Sequence, residues 1–310
     1  MSPRTRLLGA YDSGITGPLL IVTAAVHGNE PAGIEALQRV FATLGKTQPK
    51  IRGRVVGLIG NMGALERNLR FIDSDLNRMW SATQIAAVKE ADPALDQNER
   101  KEQRELIAAI QAELALPHEG VVHFDLHSTS GDGPPFTILH HDLGSRKLAS
   151  ALGVPAILGI LKDLKGTFLD YSAANGFSCV VLEGGQNQAK QTIDHHESAV
   201  WLILEAAGML AQPEHVDLEP YRSCIERSVA KLPPAVEICF RYAIDPGEKF
   251  LMLPGFSNFQ RVYPGQLLAL GGTNGRREIR CPIGAILLMP KYQGQGNDGF
   301  FLARTVDLVA

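Results

Sequence analysis

The sequence predicts an α/β fold, in which a mostly parallel, mixed sheet is covered by helices and a smaller β-rich domain follows. Short apolar runs rich in β-branched residues alternate with amphipathic segments up to about residue 210. Prolines then become frequent, and short alternating runs follow with Gly-Gly and Asn-Gly turns between them. Alternating strands and helices are typical of parallel sheets buried on both faces. We therefore expect one domain over residues 1–212 and a second over 213–310.

The individual elements follow from the spacing of the apolar residues. Buried strands are predicted where short apolar runs stand between turn residues, over 19–25, 54–59, 121–126, 136–140 and 179–183. Helices are predicted where apolar residues recur at helical spacing, over 31–44, 98–114 and 195–211. Pro31 suits a first helical turn, and Gly45 suits a C-terminal stop. In the C-terminal part, strands are predicted over 236–242, 266–270 and 285–289.

Composition narrows the class of protein. The chain has 310 residues, of which 45% are hydrophobic and 20% charged, as in an ordinary globular protein with a large core. Its net charge of −3 gives no basic surface for nucleic acid. No apolar stretch approaches the roughly 18 residues that would span a membrane, and the apolar segment near the N-terminus is too short for a signal peptide. Without a Cys-x-x-Cys pair, the four cysteines predict reduced thiols and a cytoplasmic protein. The sequence leaves open whether the chain forms a homo-oligomer.

The ends of two predicted strands carry metal-binding residue types. His27 and Glu30 lie three residues apart, directly after the first buried run. His127 follows the apolar run over 121–126. Two histidines and one glutamate form the ligand set of a catalytic zinc, in which a fourth position stays open for water or substrate. We expect one zinc ion per chain.

Two further segments supply polar groups. The stretch 70–78 has neither helical nor strand periodicity, and its Arg70, Asn77 and Arg78 can recognise a carboxylate through matching hydrogen-bond donors. An ordinary solvated loop is the alternative. Glu183 closes a buried apolar strand and precedes two glycines, a position suited to a general base. The alternative is a glutamate that caps a neighbouring turn.

A tyrosine near the C-terminus is a weaker candidate. Tyr292 lies in a loop rich in glycine and glutamine. Its hydroxyl can reach over the site and donate to the substrate. An ordinary loop tyrosine is the equally good alternative.

Taken together, His-Gly-Asn-Glu, Arg-x₄-Asp-Leu-Asn-Arg, Asp-Leu-His and the strand-end glutamate make the chain resemble the aspartoacylase/succinylglutamate desuccinylase family, a branch of the zinc carboxypeptidase-like fold. The resemblance covers residues 19 to about 300. It implies zinc on the two histidines and Glu30, a general base at Glu183 and an Arg70 that polarises the scissile carbonyl. It further implies that Asn77 and Arg78 bind the α-carboxylate of a small-molecule substrate, and that Asp75 orients His27 from outside the ligand set.

The chain departs from this family in one segment. Family members usually carry an arginine about ten residues before the catalytic glutamate, where it binds an acidic group of the substrate. Residues 171–176 contain none, and Ala173 and Ala174 stand there instead. We therefore expect either a neutral acyl group or side chain in the substrate, or another cation in this role, with Arg146, Arg241 and Arg261 as candidates.

The function predicted from these residues is zinc-dependent hydrolysis of a small N-acyl amino acid or similar amide. A carboxypeptidase that acts on peptide C-termini has the same metal set and is the alternative among enzymes. A non-catalytic binding protein of the same fold is the alternative outside enzymes.

Overall fold

The computed structural model describes residues 5–140, 142–210 and 216–307. Its strands are β1 (Leu7–Asp12), β2 (Ile15–Ala24), β3 (Arg52–Ile59), β4 (Val121–Thr129), β5 (Phe136–Leu139), β6 (Ala156–Leu158), β7 (Ser178–Gln186), β8 (Ala235–Ala243), β9 (Leu251–Met252), β10 (Gln260–Val262), β11 (Leu267–Gly271), β12 (Arg277–Arg280), β13 (Ala285–Leu288) and β14 (Asp298–Thr305). Its α-helices are α1 (Ala32–Thr47), α2 (Met62–Glu66), α3 (Ala82–Glu90), α4 (Asn98–Leu114), α5 (Leu143–Leu152), α6 (Phe168–Ala174), α7 (Lys190–Ala206) and α8 (Glu219–Val229). Short 3-10 helices lie at Leu76–Arg78, Pro93–Leu95 and Ile160–Lys162. Among the helices of these residues, none has the length and apolar character needed to cross a membrane.

Eleven strands form one mixed sheet, in the order β1-β3-β2-β4-β7-β5-β6-β8-β14-β13-β10. The pairs β2–β3, β2–β4, β4–β7, β5–β6 and β6–β8 are parallel. The pair β5–β7 and the pairs towards both edges are antiparallel.

Helices cover both faces of this sheet. On β2, Leu20 and Val22 pack into a core cluster with α1, α5 and α7. The alternate residues Leu19 and Ile21 pack into a second cluster with α4 and α6. Successive side chains of a strand point to opposite faces, so a run that is apolar throughout fits a strand covered on both sides. The predicted fold class is confirmed.

Several predicted boundaries differ from those observed. Helix α4 has the predicted ends, but α1 continues past Gly45 to Thr47 and ends where Gln48 adopts a left-handed conformation with φ of 46°. Helix α7 spans Lys190–Ala206 instead of 195–211. It ends earlier than predicted because Gly208 has a φ of 70°, which is outside the helical range. Strands β4 and β7 run beyond their predicted ends because each continues to find a hydrogen-bonding partner in its neighbour. The apolar pattern of one segment does not show which neighbouring strand it will pair with, so it cannot give the full length of the strand.

The C-terminal region is rich in strands, as predicted. Strands β8, β14, β13 and β10 extend the main sheet, and β12, β11 and β9 form a separate three-stranded sheet. Helix α8 precedes them and was not predicted. The predicted domain boundary at 212/213 lies outside the described residues, and the division into two domains stays a prediction.

Candidate metal centre and active site

A tight turn presents the first two candidate ligands. Strand β2 ends at Ala24, and the chain turns through Ala25, whose φ is 54°. Gly28 then packs against the backbone of α2, where a Cβ atom would lie only 2.2 Å from the carbonyl carbon of Ala64. The Gly28 N–H donates to the Arg70 carbonyl over 3.2 Å, so this turn and the 70–78 segment are joined directly. A side chain at position 28 would push this turn away from α2.

His27, Glu30 and His127 converge. The His27 Nδ1 atom lies 2.9 Å from Glu30 Oε1, and the His127 Nδ1 atom lies 2.9 Å from Glu30 Oε2. One ligand atom from each of the three lies within 4.8 Å of the others, and all three residues are buried. The structure thus brings together the three residues that the sequence proposed as a ligand set.

The outer ring nitrogen of each histidine also faces a carboxylate. His27 Nε2 lies 3.0 Å from Asp75 Oδ1, and His127 Nε2 lies 2.9 Å from Asp125 Oδ2. A neutral imidazole carries one N–H, whereas ionised carboxylates only accept hydrogen bonds. With a carboxylate at both nitrogens, each ring therefore needs either a second proton or a metal ion at the nitrogen that lacks the N–H. A metal among the two Nδ1 atoms and Glu30 would meet that need, while the two aspartates fix the rings from behind. The donor set therefore fits zinc.

The charges at this centre are strongly coupled. Burial alone would lower the pKa of His127, but the Asp125 and Glu30 carboxylates raise it well above its ordinary value. Burial alone would raise the pKa of Glu30, but the charges of His27 and His127 hold it below its ordinary value. The positive charge of the two histidines thus keeps Glu30 ionised.

Asp125 belongs to a buried polar network that the sequence analysis missed. The Thr23 hydroxyl donates to Asp125 Oδ1 over 2.5 Å and lies 2.9 Å from His123 Nε2. On its other side, His123 Nδ1 lies 2.6 Å from the Ser172 hydroxyl on α6. Burial lowers the pKa of His123 to about 4, so this ring is neutral near pH 7. The network fixes the aspartate that faces His127.

The 70–78 segment is ordered by two carboxylates. Glu99 on α4 is buried and accepts the backbone N–H groups of residues 72–74 over 2.6, 2.9 and 3.2 Å. Asp75 accepts the Asn77 N–H over 2.9 Å and begins the short 3-10 helix. The segment is therefore held in place, unlike an ordinary solvated loop.

Arg70 lies at the edge of the metal centre. Its Nη2 and Nε atoms donate to Asp75 Oδ2 over 3.2 and 3.3 Å, and its Nη1 donates to Glu30 Oε1 over 3.3 Å. Asp75 thus contacts both His27 and Arg70. The guanidinium is positioned where it can reach a carbonyl oxygen beside the ligand set.

Asn77 and Arg78 line the same cavity. Asn77 Oδ1 accepts the Phe168 N–H over 2.8 Å, which turns the amide NH₂ group away from α6 and towards His127. Arg78 Nη1 donates to the Asn77 carbonyl over 2.8 Å, and its Nη2 lies 3.6 Å from Asp298. Both side chains offer donors to the cavity.

Glu183 stands inside β7, where its register partners are His127 on β4 and Phe136 on β5. The residue is partly exposed at the cavity, but its Oε2 atom is buried and has no hydrogen-bond partner in the described part of the chain. Burial raises the pKa of its carboxyl to about 7, against the opposing charge of His127. A buried carboxylate that is not committed to another group is free to exchange a proton.

Tyr292 is not brought to this cavity. Its hydroxyl donates to the Leu253 carbonyl over 2.8 Å and accepts the Phe256 N–H over 3.0 Å. The neighbours Lys291 and Gln293 line the cavity instead. The substrate-binding role of Tyr292 stays a prediction, and its hydroxyl would have to leave Leu253 and Phe256 to fulfil it.

The three arginines considered as a second cation also lie elsewhere. Arg146, Arg241 and Arg261 are absent from the cavity lining, although Arg241 pairs with the lining residue Asp298 over 2.6 Å. Lys291 lines the cavity, although nothing in the local sequence pattern indicated it. Its Nζ donates to the Gly294 carbonyl over 3.2 Å, and burial, followed by the charge of Arg70, lowers its pKa.

The fold matches solved structures of the succinylglutamate desuccinylase and aspartoacylase class. A crystal structure of a succinylglutamate desuccinylase/aspartoacylase from Rhodobacter sphaeroides superposes with a TM-score of 0.67 and 17% identity, over 94% of this chain and 87% of that one. A product-bound ectoine utilization protein, EutE (DoeB), from Ruegeria pomeroyi superposes with a TM-score of 0.66 and 18% identity, over 96% and 87% of the two chains. At such identities these matches show the fold alone.

The sequence carries the assignment further. A family model of the succinylglutamate desuccinylase/aspartoacylase catalytic domain matches residues 16–202. A succinylglutamate desuccinylase of Pseudomonas paraeruginosa is 27% identical over 301 residues, covering 91% of this chain and 82% of the relative. This chain belongs to the succinylglutamate desuccinylase/aspartoacylase family, and membership supports amide-bond hydrolysis of small acyl amino acids.

Proposed function

We propose that this protein is a zinc-dependent amidohydrolase that cleaves a small N-acyl amino acid, or a similar amide, into a carboxylate and an amine. The observation that carries the proposal is one cavity lined by both the His27–Glu30–His127 cluster and Glu183. One zinc ion per chain, held by the three clustered side chains, would supply a Lewis acid that acidifies water and polarises a carbonyl oxygen.

Glu183 serves as the general base and then as the general acid. Its free Oε2 accepts a proton from the attacking water and returns it to the leaving nitrogen. A pKa of about 7 suits both transfers, because a group that titrates near the working pH both accepts and releases protons readily.

Arg70 stabilises the negative charge that develops on the carbonyl oxygen. Asp75 and Glu30 hold its guanidinium in place before substrate arrives. A preorganised donor of this kind contributes about 3–4 kcal/mol to the transition state. Asn77 and Arg78 bind the carboxylate of the amino-acid half, since both offer donors to the cavity.

The alternative enzyme, a carboxypeptidase, requires an open groove for a peptide. The segment around Gln293 and Gln295 favours a small substrate instead, because it is hydrogen-bonded to the His27–Glu30 turn and to the 70–78 segment, which both carry site residues. Gln293 Oε1 accepts from Asn29 over 2.7 Å, and Gln295 Nε2 donates to the Phe71 carbonyl over 2.8 Å. A peptide would have to displace these contacts.

The test is a turnover screen of the zinc-loaded protein against a panel of N-acyl amino acids and blocked dipeptides. We expect hydrolysis of one or more N-acyl amino acids and negligible cleavage of the dipeptides. The reverse pattern would support the carboxypeptidase, and ligand binding without any turnover would support a binding protein. The cytoplasmic location inferred from the four cysteines stays a prediction.

A further inference from the structure

The active-site cavity has two unlike sides. One carries the metal-binding cluster, Arg70 and Lys291. The other is apolar and comes from β5, β7, β14, α6 and the segment before α6. We call it the apolar wall, and its principal residues are Ile138, Leu161, Leu164, Leu169, Val181 and Phe301. All six also belong to, or pack against, one hydrophobic core cluster, so the wall is an open face of the core.

The apolar wall begins directly beside Glu183. Val181 precedes Glu183 by two residues on β7, so the two side chains share one face about 7 Å apart. Ile138 is the register partner of Val181 on β5 and extends that face sideways. A substrate whose scissile amide lies at Glu183 therefore rests one of its two halves on this surface.

Contacts with Asn77 and Arg78 indicate which half of the substrate lies on the apolar wall. The Phe168 N–H donates to Asn77, and a Cβ atom on Gly166 would lie 2.9 Å from the Arg78 carbonyl oxygen. The segment that supplies Leu164 and Leu169 to the wall is thus packed against the proposed carboxylate-binding pair. The half of the substrate that holds the carboxylate, which is the amino acid, lies along the wall.

The charges next to the wall disfavour an acidic side chain. Asp298 is the nearby lining carboxylate, and its oxygens already face Arg241 and Arg78. Lys291 stands beside Arg70, since an added Cβ at Gly296 would lie within 4 Å of both side chains. An acidic side chain on the wall would lose its hydration among apolar side chains and meet Asp298, whereas the lining cation Lys291 stands beside Arg70 instead.

We propose that the amino-acid half of the substrate carries an apolar side chain, as in N-acyl leucine, methionine or phenylalanine, and that the apolar wall binds it. This inference rests on the proposed deacylase function and names its substrate class.

The first test compares kcat/KM of the zinc-loaded protein for N-acetyl derivatives of leucine, glutamine and glutamate. We expect leucine to exceed both others by about tenfold or more. Preference for the glutamate derivative would overturn the inference while leaving the deacylase intact. If none of the three is hydrolysed, the proposed function fails. The wall is then tested by calorimetry with free leucine and glutamate, where tighter binding of leucine supports it and tighter binding of glutamate overturns it.

The second test places a cation on the wall. Leu164 is half-buried, so Leu164→Arg can hold its charge at the cavity, and we expect the glutamate-to-leucine ratio of kcat/KM to rise about tenfold or more. The matched control is Ile238→Arg, a partly buried position against the same cluster that does not line the cavity, and the ratio should stay unchanged there. If Leu164→Arg does not fold, Leu164→Asn should lower kcat/KM for the leucine derivative selectively. An unchanged ratio in either folded Leu164 variant would overturn the inference.

Discussion

His127 and Glu183 are direct register partners on the parallel strands β4 and β7, so their side chains leave the sheet on the same face. Both strands lie in the middle of the sheet and are largely buried. The sheet itself therefore fixes the spacing between a proposed metal ligand and the proposed general base. Such a pair does not depend on loop closure for its geometry.

Replacing His127 with alanine should abolish stoichiometric zinc binding. The change leaves two of the three proposed ligands, too few for a catalytic zinc site of this type. Metal analysis after dialysis should show a large loss, whereas His140→Ala, a histidine that pairs with Asp170 instead, should keep the metal. Full zinc retention by His127→Ala would remove His127 from the site.

Asp125→Asn should weaken zinc binding without removing it. Asp125 faces the outer nitrogen of His127, and an amide orients and polarises that ring less well than a carboxylate does. We expect the zinc dissociation constant, measured against a competing chelator, to rise about 10–100-fold. The exposed Asp132→Asn serves as the control. Equal affinities in the two variants would mean that Asp125 does not support the ligand.

The sequence located the ligand cluster because residue types typical of zinc sites follow two apolar strands. Asp125 was within reach of the same reasoning, since residues two apart on a strand share a face, and it stands two before His127. The roles of Glu99 and Lys291 could not be predicted by this reasoning. Each depends on packing between segments far apart in the chain, for which the local pattern holds no information. The hydrogen bonds of the Tyr292 hydroxyl with Leu253 and Phe256 could not be predicted for the same reason.

Arg78→Lys should weaken recognition of the substrate carboxylate while the positive charge is kept. Lysine cannot offer the paired donors of a guanidinium. We expect KM for the preferred N-acyl amino acid to rise about tenfold, with a smaller change in kcat. The comparison is free acid against methyl ester in both proteins. If the wild-type protein does not distinguish acid from ester, Asn77 and Arg78 do not bind a carboxylate.

Glu183→Gln should stabilise the metal-free protein at alkaline pH. Burial raises the pKa of Glu183 from about 4.5 to about 7, so the folded state binds its proton more tightly than the unfolded state. Its contribution to stability is therefore complete below pH 4.5 and is lost as the pH rises through 7. Glutamine removes that loss.

The corresponding measurement is thermal unfolding with a chelator present. The melting temperature of Glu183→Gln relative to wild type should be higher at pH 8 than at pH 5. Glu237→Gln, at an exposed strand position, should show no such dependence. A relative melting temperature of Glu183→Gln that falls from pH 5 to pH 8 would contradict the raised pKa.

The most direct test of the metal-dependent deacylase is single-substrate turnover by wild type and Glu183→Gln at equal, measured zinc content. Both proteins should bind one zinc ion, because Glu183 is not among the three clustered ligands. The wild type should hydrolyse its preferred N-acyl amino acid and lose activity on chelation, and the variant should show a kcat lower by about 10²–10⁴-fold. A zinc-loaded Glu183→Gln with near-normal kcat, or a wild type whose turnover survives complete removal of metal, would contradict the account.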